Sequence, residues 1–215
     1  VMSRLLIFII IIINVTIIQG EGGMKEITLR YKEKNPEEVD LSYLLYLPND
    51  YQQNKQDYPL VLFLHGAGER GADIEKVKIH GIPKRVVEGA KFPFICIAPQ
   101  CPKEGYWDRT EYVNSLISLI KEVEHDYRVD SDRIYGTGLS MGLGTLAIAL
   151  EEPELFSAII PVCGGAKMDN IHQLNQLPIW LFHGDHDDVH PVNNSIIIFQ
   201  ALSPVNDHVF LTVYG

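Results

Sequence analysis

Basic residues are scarce in this chain of 215 residues, in which 18 Lys and Arg residues face 28 Asp and Glu residues and leave a net charge of −10. A nucleic-acid-binding protein needs basic side chains against the phosphate backbone, so the charge argues against such a partner. Only three cysteines are present, without a CxxC pair or a zinc-like spacing, which argues against a disulfide framework. Apolar residues make up 46% of the chain, which is typical of a folded globular domain.

One long apolar run stands near the start of the chain. Residues Leu5 to Ile18 read LLIFIIIIINVTII and follow a single basic residue, Arg4, and glycines come after them. The run is shorter than the ~20 apolar residues that span a bilayer, and this order of segments is typical of a secretory signal peptide. We predict a signal peptide over residues 1–22, or an anchor that touches the membrane if it stays uncleaved. Residues 23–215 are then a secreted or periplasmic domain.

Short apolar runs alternate with helical patterns through the rest of the chain. Leu60–Leu64 (LVLFL) and Phe94–Ala98 are continuous apolar runs, as in strands buried on both faces. Glu111–Tyr127 has apolar residues at helical spacing. The pattern predicts an α/β domain with a mostly parallel sheet and an antiparallel edge formed by Ile27–Arg30 and Tyr43–Leu47. Further strands are predicted at Arg133–Thr137, Ala158–Val162, Ile179–His183 and His208–Tyr214, and further helices at Met141–Leu150 and Val192–Leu202.

A candidate nucleophile lies between a predicted strand and a predicted helix. Residues 138–142 read GLSMG, which fits the pattern G-x-S-x-G. In this context the motif forms a sharp turn that lifts the serine hydroxyl above the sheet, while the glycines let the backbone pass close by. The following helix directs its N–H groups and positive dipole end at the same point. We therefore predict that Ser140 is a nucleophile.

Two further loops at the carboxyl ends of predicted strands fit an acyl-transfer site. The glycine-rich segment HGAGERG follows Leu60–Leu64 and leaves backbone N–H groups free to face a developing oxyanion. The expected donors are the N–H groups of Ala67 and Met141. The segment HGDHDDVHP follows Ile179–His183 and supplies an acid for a triad. Asp187 is the preferred residue, with Asp185 and Asp188 as alternatives.

These segments together resemble the α/β-hydrolase superfamily, and within it the small secreted esterases and predicted peptidases, both carboxylesterase/phospholipase-like and feruloyl-esterase-like. The matching stretches read LVLFLHGAGERG, FICIAPQCP, YRVDSDRIYGTGLSMG and IWLFHGDHDDVHP, and they cover Leu60 to Pro191 in the order of the family. The resemblance implies an α/β-hydrolase fold with helices on both faces of the sheet. It also implies a nucleophile at Ser140, an acid at Asp187 and no cofactor.

The resemblance also implies an oxyanion hole made by Ala67 and Met141. Trp107, which follows the segment APQCP, is assigned to the substrate cleft, with a packed surface tryptophan as the alternative. Two positions depart from the family pattern: Leu143 stands where a second glycine is usual, and Gly136 stands where a larger strand residue is usual. Both departures are expected to change how closely helix and strand pack.

The end of the chain departs further from the family, whose catalytic histidine follows the last strand. Here the chain stops at Gly215, one residue after that predicted strand. We therefore expect a truncated chain that lacks the histidine loop and the final helix, and that has little activity and reduced stability by itself. His208 comes after the acid in the sequence, but it lies at the start of a six-residue strand, roughly 20 Å from the carboxyl-end face. It is a poor candidate for the base.

Two other motifs fit less well. The sequence TGLSMGLG matches the TGxxxGxG turn of short-chain dehydrogenases, but it comes late in the chain and no YxxxK follows. The acid loop is rich in groups that bind metals, but a histidine needed for the metallo-β-lactamase pattern is replaced by Asp185. We therefore expect neither a dinucleotide nor a metal.

The sequence thus predicts a serine hydrolase that cleaves carboxylic esters through an acyl-enzyme, with its histidine beyond Gly215. The expected substrate is a small-molecule or polysaccharide-linked ester. A peptidase with the same triad and an inactive or binding homologue are the alternatives, because substrate specificity depends on loops that the motifs do not describe.

Overall fold

The computed structural model describes residues 17–18, 23–165 and 168–215. The predicted signal peptide lies almost wholly outside the described residues. Among the described residues, no helix has both the length and the apolar character needed to cross a membrane. All described strands belong to one sheet with the spatial order β1-β2-β3-β5-β4-β6-β7-β8-β9. The strands are β1 (Ile17–Ile18), β2 (Lys25–Tyr31), β3 (Leu41–Leu47), β4 (Tyr58–Leu64), β5 (Ile95–Pro99), β6 (Val129–Leu139), β7 (Ala158–Val162), β8 (Ile179–Gly184) and β9 (Val209–Tyr214).

The sheet is parallel from β5 to β9 and antiparallel from β1 to β5. This confirms the predicted mostly parallel sheet with an antiparallel edge. Parallel strands place their carboxyl ends at one edge, so the loops after β4, β6 and β8 meet there. The helices are α1 (Gly81–Val87), α2 (Thr110–Asp126), α3 (Gly144–Glu151) and α4 (Asn193–Leu202), and shorter 3-10 turns span Ala67–Glu69, Ile74–Ile79, Ser140–Leu143 and Ile171–Leu174.

The helices cover the two faces of the sheet unequally. Apolar residues of α2, α3 and α4 pack on one face in the main core. On the other face, Ile82 and Val86 of α1 pack against a smaller cluster around Phe63 of β4. Side chains on this second face near β7, β8 and β9 are exposed, including Ile160, Trp180 and Phe210. Helices are therefore present on both faces, as predicted, but the second face is covered only in part.

The two positions that depart from the family pattern are both closely packed. A Cβ at Gly136 would lie 3.1 Å from the ring of Phe156, so the glycine leaves room for that side chain. Leu143 is buried and packs against Gly164, where a Cβ would lie 2.3 Å from the leucine side chain. Whether these residues change the packing of helix on strand relative to the family stays a prediction, and Ser140 lies directly after β6.

The three cysteines are all free thiols. Cys96 lies inside β5, and its complete burial raises the pKa of its thiol. Burial also raises the pKa of Cys101 to about 12. Since only a thiolate is a strong nucleophile, these two residues are structural.

Candidate active site

Ser140 stands at a strained turn between β6 and α3. Its φ is 56°, in the left-handed region that non-glycine residues adopt only at a cost of about 1–3 kcal/mol. The flanking glycines are required by close backbone contacts. A Cβ at Gly138 would lie 2.3 Å from the Gly142 oxygen, and a Cβ at Gly142 would lie 2.3 Å from the Leu64 oxygen. The turn therefore has the strained, close-packed geometry that presents a nucleophile above a sheet.

A cleft of about 380 Å³ opens at this turn. Ser140, Met141 and Ala67 all line it, so the structure brings together three of the predicted site residues. Ala67 belongs to the 3-10 turn that follows β4, and Met141 follows Ser140 directly. The N–H groups of these two residues come from the two loops that an oxyanion hole requires in such a site.

His65 ties the loop after β4 to the neighbouring strand. Its Nδ1 donates to the Gly66 oxygen at 2.6 Å, and its Nε2 accepts from the Cys101 N–H at 2.9 Å. The imidazole is fully buried, and this burial lowers its pKa. His65 is therefore a neutral structural residue that fixes the base of the loop, and it is not free to exchange protons with a substrate.

The assignment of Trp107 to the substrate cleft is wrong. Trp107 is completely buried, and its indole Nε1 donates to the His65 oxygen at 3.1 Å. It also packs against the start of α3, where a Cβ at Gly144 would lie 2.4 Å from the Trp107 Cβ. The adjacent residues Tyr106 and Asp108 line the cleft instead. The buried indole N–H needs an acceptor, and its bond to the His65 oxygen links Trp107 to the loop after β4.

Asp187 is held by the backbone of its own loop. Its Oδ1 accepts from the Val189 N–H at 2.9 Å and from the His190 N–H at 2.8 Å. These two hydrogen bonds lower the pKa of the carboxyl group. Its Oδ2 lies 3.6 Å from Nε2 of His183, which is buried. The alternative acid Asp185 pairs with the exposed His186. The geometry favours Asp187 as a fixed carboxylate, and its catalytic role stays a prediction.

Cys163 lies between the nucleophile turn and the acid loop. It follows β7 with a φ of 40°. Burial raises the pKa of its thiol, the backbone of Ser140 lowers it, and the charge of Asp187 raises it.

Sequence reasoning missed several residues of the cleft, among them His190 and Tyr106. His190 lines it together with Ser140, although its position in the acid loop suggested only a metal-binding group. Tyr106 also lines the cleft, and its ring lies 4.6 Å from the guanidinium of Arg70 and 5.2 Å from that of Arg109. The signal available in the sequence was a second aromatic residue, Tyr106, directly before Trp107.

Two other expectations concern histidines and metals. His208 precedes β9, and its backbone oxygen accepts from the N–H of Ile179 at the amino end of β8. This places it at the end of the sheet away from Ser140, as the strand length predicts.

No group of three or more His, Cys, Asp or Glu side chains in the described part of the chain is arranged to hold a metal ion.

The fold of this chain is similar to that of several solved esterases and peptidases. A thermostable esterase has a TM-score of 0.72 and 35% identity over 87% of this chain and 54% of its own. A ferulic acid esterase has a TM-score of 0.70 and 19% identity over 90% of this chain and 91% of its own. The acylaminoacyl peptidase of Pyrococcus horikoshii has a TM-score of 0.65 and 16% identity over 90% of this chain and 37% of its own.

The chain spans about half the length of the thermostable esterase. Neither a protein-family model nor a curated protein matches it. The fold and the segments at its carboxyl edge agree with the expected superfamily. The chain therefore has the α/β-hydrolase fold, which it shares with solved esterases and peptidases.

Proposed function

We propose that this chain carries the nucleophile, the oxyanion hole and the acid of a serine hydrolase that cleaves carboxylic esters. The observation that carries the proposal is the strained turn at Ser140, which opens into the same cleft as Ala67 and Met141. A serine in the left-handed region persists only where the surrounding structure holds it, and such strain is concentrated at functional sites. The likeness to a thermostable esterase at 35% identity supports ester hydrolysis.

The proposed reaction proceeds through an acyl-enzyme and needs no cofactor. Ser140 Oγ attacks the ester carbonyl carbon while a histidine accepts the hydroxyl proton and Asp187 orients that histidine. The carbonyl oxygen becomes negative and accepts hydrogen bonds from the N–H groups of Ala67 and Met141. The C–O bond then breaks, the alcohol leaves with the proton from the histidine, and the acyl group stays on Ser140. A water molecule, deprotonated by the same histidine, releases the acid.

The histidine of this reaction is proposed to follow the last strand, in residues encoded after Gly215. The resemblance to the family supports this position, and His208 lies at the wrong end of β9. We call the chain that includes those residues the extended chain. A stop codon directly after Gly215 would contradict the proposal, and the base would then be sought at His190, the histidine that lines the cleft.

An ester is the proposed substrate, either a small molecule or an ester linked to a polysaccharide, and a peptide is the second candidate. The same nucleophile and oxyanion hole serve both reactions, which differ in the leaving group. Peptidases such as the acylaminoacyl peptidase share the fold at 16% identity. The higher identity to an esterase favours the ester.

The test is hydrolysis of p-nitrophenyl acetate by the extended chain and by its Ser140→Ala variant. We expect the substitution to remove nearly all turnover, because Ser140 supplies the oxygen that attacks the carbonyl carbon. Ser203→Ala, a partly exposed serine beside α4, is the matched control and should retain parental turnover. Parental turnover in the Ser140→Ala variant would contradict the proposal.

A further inference from the structure

Gln100 connects the centre of the sheet to the loop that carries Ala67. It follows β5 directly, and its backbone N–H donates to the Ser42 oxygen at 2.8 Å. Its side-chain Nε2 donates to the Glu69 oxygen at 2.8 Å and to the Asp73 oxygen at 2.7 Å. The side chain is almost fully buried. One amide thus bridges a rigid strand and two backbone carbonyls of the loop.

The orientation of this amide follows from its neighbours. Both atoms that face it are carbonyl oxygens, which accept hydrogen bonds and cannot donate, so the nitrogen must point towards them. The amide oxygen Oε1 is buried and has no hydrogen-bond partner among the described residues. An unpartnered buried acceptor is unfavourable. The two donated bonds are therefore what this side chain contributes to the structure.

The loop that carries Ala67 is held by a set of contacts with its neighbours, and the two bonds from Gln100 are among them. Ala67 and Gly68, at its tip, are exposed, and the loop contains one turn of 3-10 helix rather than a strand ladder. Arg70 of the loop donates to the Gly105 oxygen at 3.2 Å. Two more bonds run to the residue after Gln100: the Cys101 N–H donates to His65 Nε2, and the Gly71 N–H donates to the Cys101 oxygen. The segments HGAGERG and APQCP are thus joined at the base of the loop.

We infer that Gln100 is a positioning residue that holds the loop so that the Ala67 N–H points into the cleft beside Ser140. The inference rests on the proposed function, in which that N–H stabilises the oxyanion. Catalytic geometry must be held within about 0.5 Å, and an exposed loop tip keeps this accuracy only if its base is fixed. Gln100 itself does not line the cleft and touches no reacting atom.

The molecule contains a matched control for this amide. Asn206 is also almost fully buried, and its Nδ2 donates to the Leu174 oxygen and to the Leu177 oxygen, each at 2.7 Å. It holds the loop between the 3-10 turn Ile171–Leu174 and β8. No residue of this loop lines the cleft. Two amides therefore make the same pair of bonds, one near the proposed oxyanion hole and one far from it.

The first measurement is hydrogen exchange of the 215-residue chain, its Gln100→Met variant and its Asn206→Leu variant. Both substitutions keep roughly the side-chain volume and remove both donors, so both should lower Tm by a few degrees. We expect Gln100→Met to raise exchange at residues 66–73 by about tenfold or more, and Asn206→Leu to leave that segment unchanged. Unchanged exchange at residues 66–73 in Gln100→Met would overturn the inference. If that variant does not fold, Gln100→Asn replaces it, because its shorter side chain withdraws the amide from both carbonyls.

The second measurement is the rate at which a fluorophosphonate labels the extended chain. We expect Gln100→Met to lower the maximal labelling rate about tenfold to a hundredfold with little change in the half-saturating concentration. The Ala67 N–H stabilises the transition state and not the bound reagent, so its displacement slows the reaction without weakening binding. Asn206→Leu should label at the parental rate. A parental rate in Gln100→Met, or an equal fall in both variants, would overturn the inference. Labelling that persists after Ser140→Ala would instead contradict the proposed function, and the exchange result would still stand.

Discussion

One row of side chains crosses the sheet on a single face, and its exposure changes from one end to the other. Phe63 on β4 is 4% exposed, whereas Ile160 on β7 is 41% exposed. Trp180 on β8 and Phe210 on β9 follow at 47% and 56%. The strand pairings place all four on the same face, with Thr137 of β6 between Phe63 and Ile160. The same face is thus a core at β4 and a surface at β9.

The difference follows from the position of one helix. Helix α1 packs over the β4 end of the row, and no described helix covers the β9 end. Parallel sheets are usually covered on both faces. The nucleophile turn and the Ala67 loop extend from β6 and β4, in the covered part, whereas the acid loop extends from β8, in the open part. That the chain lacks a final helix stays a prediction.

The largest expected contrast is between two phenylalanines of the row. Phe63→Ala should lower the free energy of unfolding by about 3–5 kcal/mol, because it empties a packed site against α1. A Cβ at Gly81, at the start of α1, would lie 2.1 Å from the Phe63 ring, which shows how closely the two are packed. Phe210→Ala should change the same quantity by less than about 1 kcal/mol. Urea denaturation of both variants tests this, and equal losses would contradict the contrast.

A second contrast uses Gly142, in the 3-10 turn after β6, and Gly184, the last residue of β8. Gly142→Ala should lower the free energy of unfolding by about 1–3 kcal/mol, because the new methyl group meets the Leu64 oxygen. It should also abolish labelling of Ser140 by displacing the turn. Gly184→Ala, at the end of β8, is the control, since nothing lies within 4 Å of its Cβ position. Urea denaturation should show that this control lowers the free energy of unfolding by no more than about 0.5 kcal/mol. A larger loss for Gly184→Ala than for Gly142→Ala would reverse the contrast.

The smallest expected effect concerns the acid loop and pH. Hydrogen bonds from the His190 and Val189 N–H groups lower the native pKa of Asp187, so its carboxylate stabilises the fold above its unfolded pKa, about 3.9. This contribution is lost as the pH falls through the native pKa. Asp187→Asn should therefore lower Tm by about 2 °C at pH 7 and by less near pH 3. The control is Asp185→Asn, in the same loop, which should lower Tm less than Asp187→Asn at pH 7. A loss of Tm in Asp187→Asn that grows towards pH 3 would contradict the lowered pKa of Asp187.

The fold and the sharp turn at Ser140 could be predicted because their signals are local. Continuous apolar runs identified β4 and β5, and the spacing of glycines around Ser140 reflects contacts within a few residues. The burial of Trp107 could not be predicted, because its acceptor, the His65 oxygen, lies 42 residues away in the sequence. The role of Gln100 was equally hidden, since its two acceptors belong to a loop about 30 residues earlier.

The exposure of the side chains at the β9 end of the row also could not be predicted from the sequence. Trp180 and Phe182 alternate with the buried residues Ile179 and Leu181, and an all-apolar strand predicts burial on both faces. Whether a helix covers the second face depends on elements far along the chain, and the strand itself carries no signal for it.

The most direct test of the account is the location of a fluorophosphonate adduct in the extended chain, determined by mass spectrometry of its peptides. The account predicts one adduct, on the peptide that contains Ser140, and no adduct in the Ser140→Ala variant. An adduct on a different residue, or an unlabelled Ser140 in the folded extended chain, would contradict the assignment of this turn as the nucleophile.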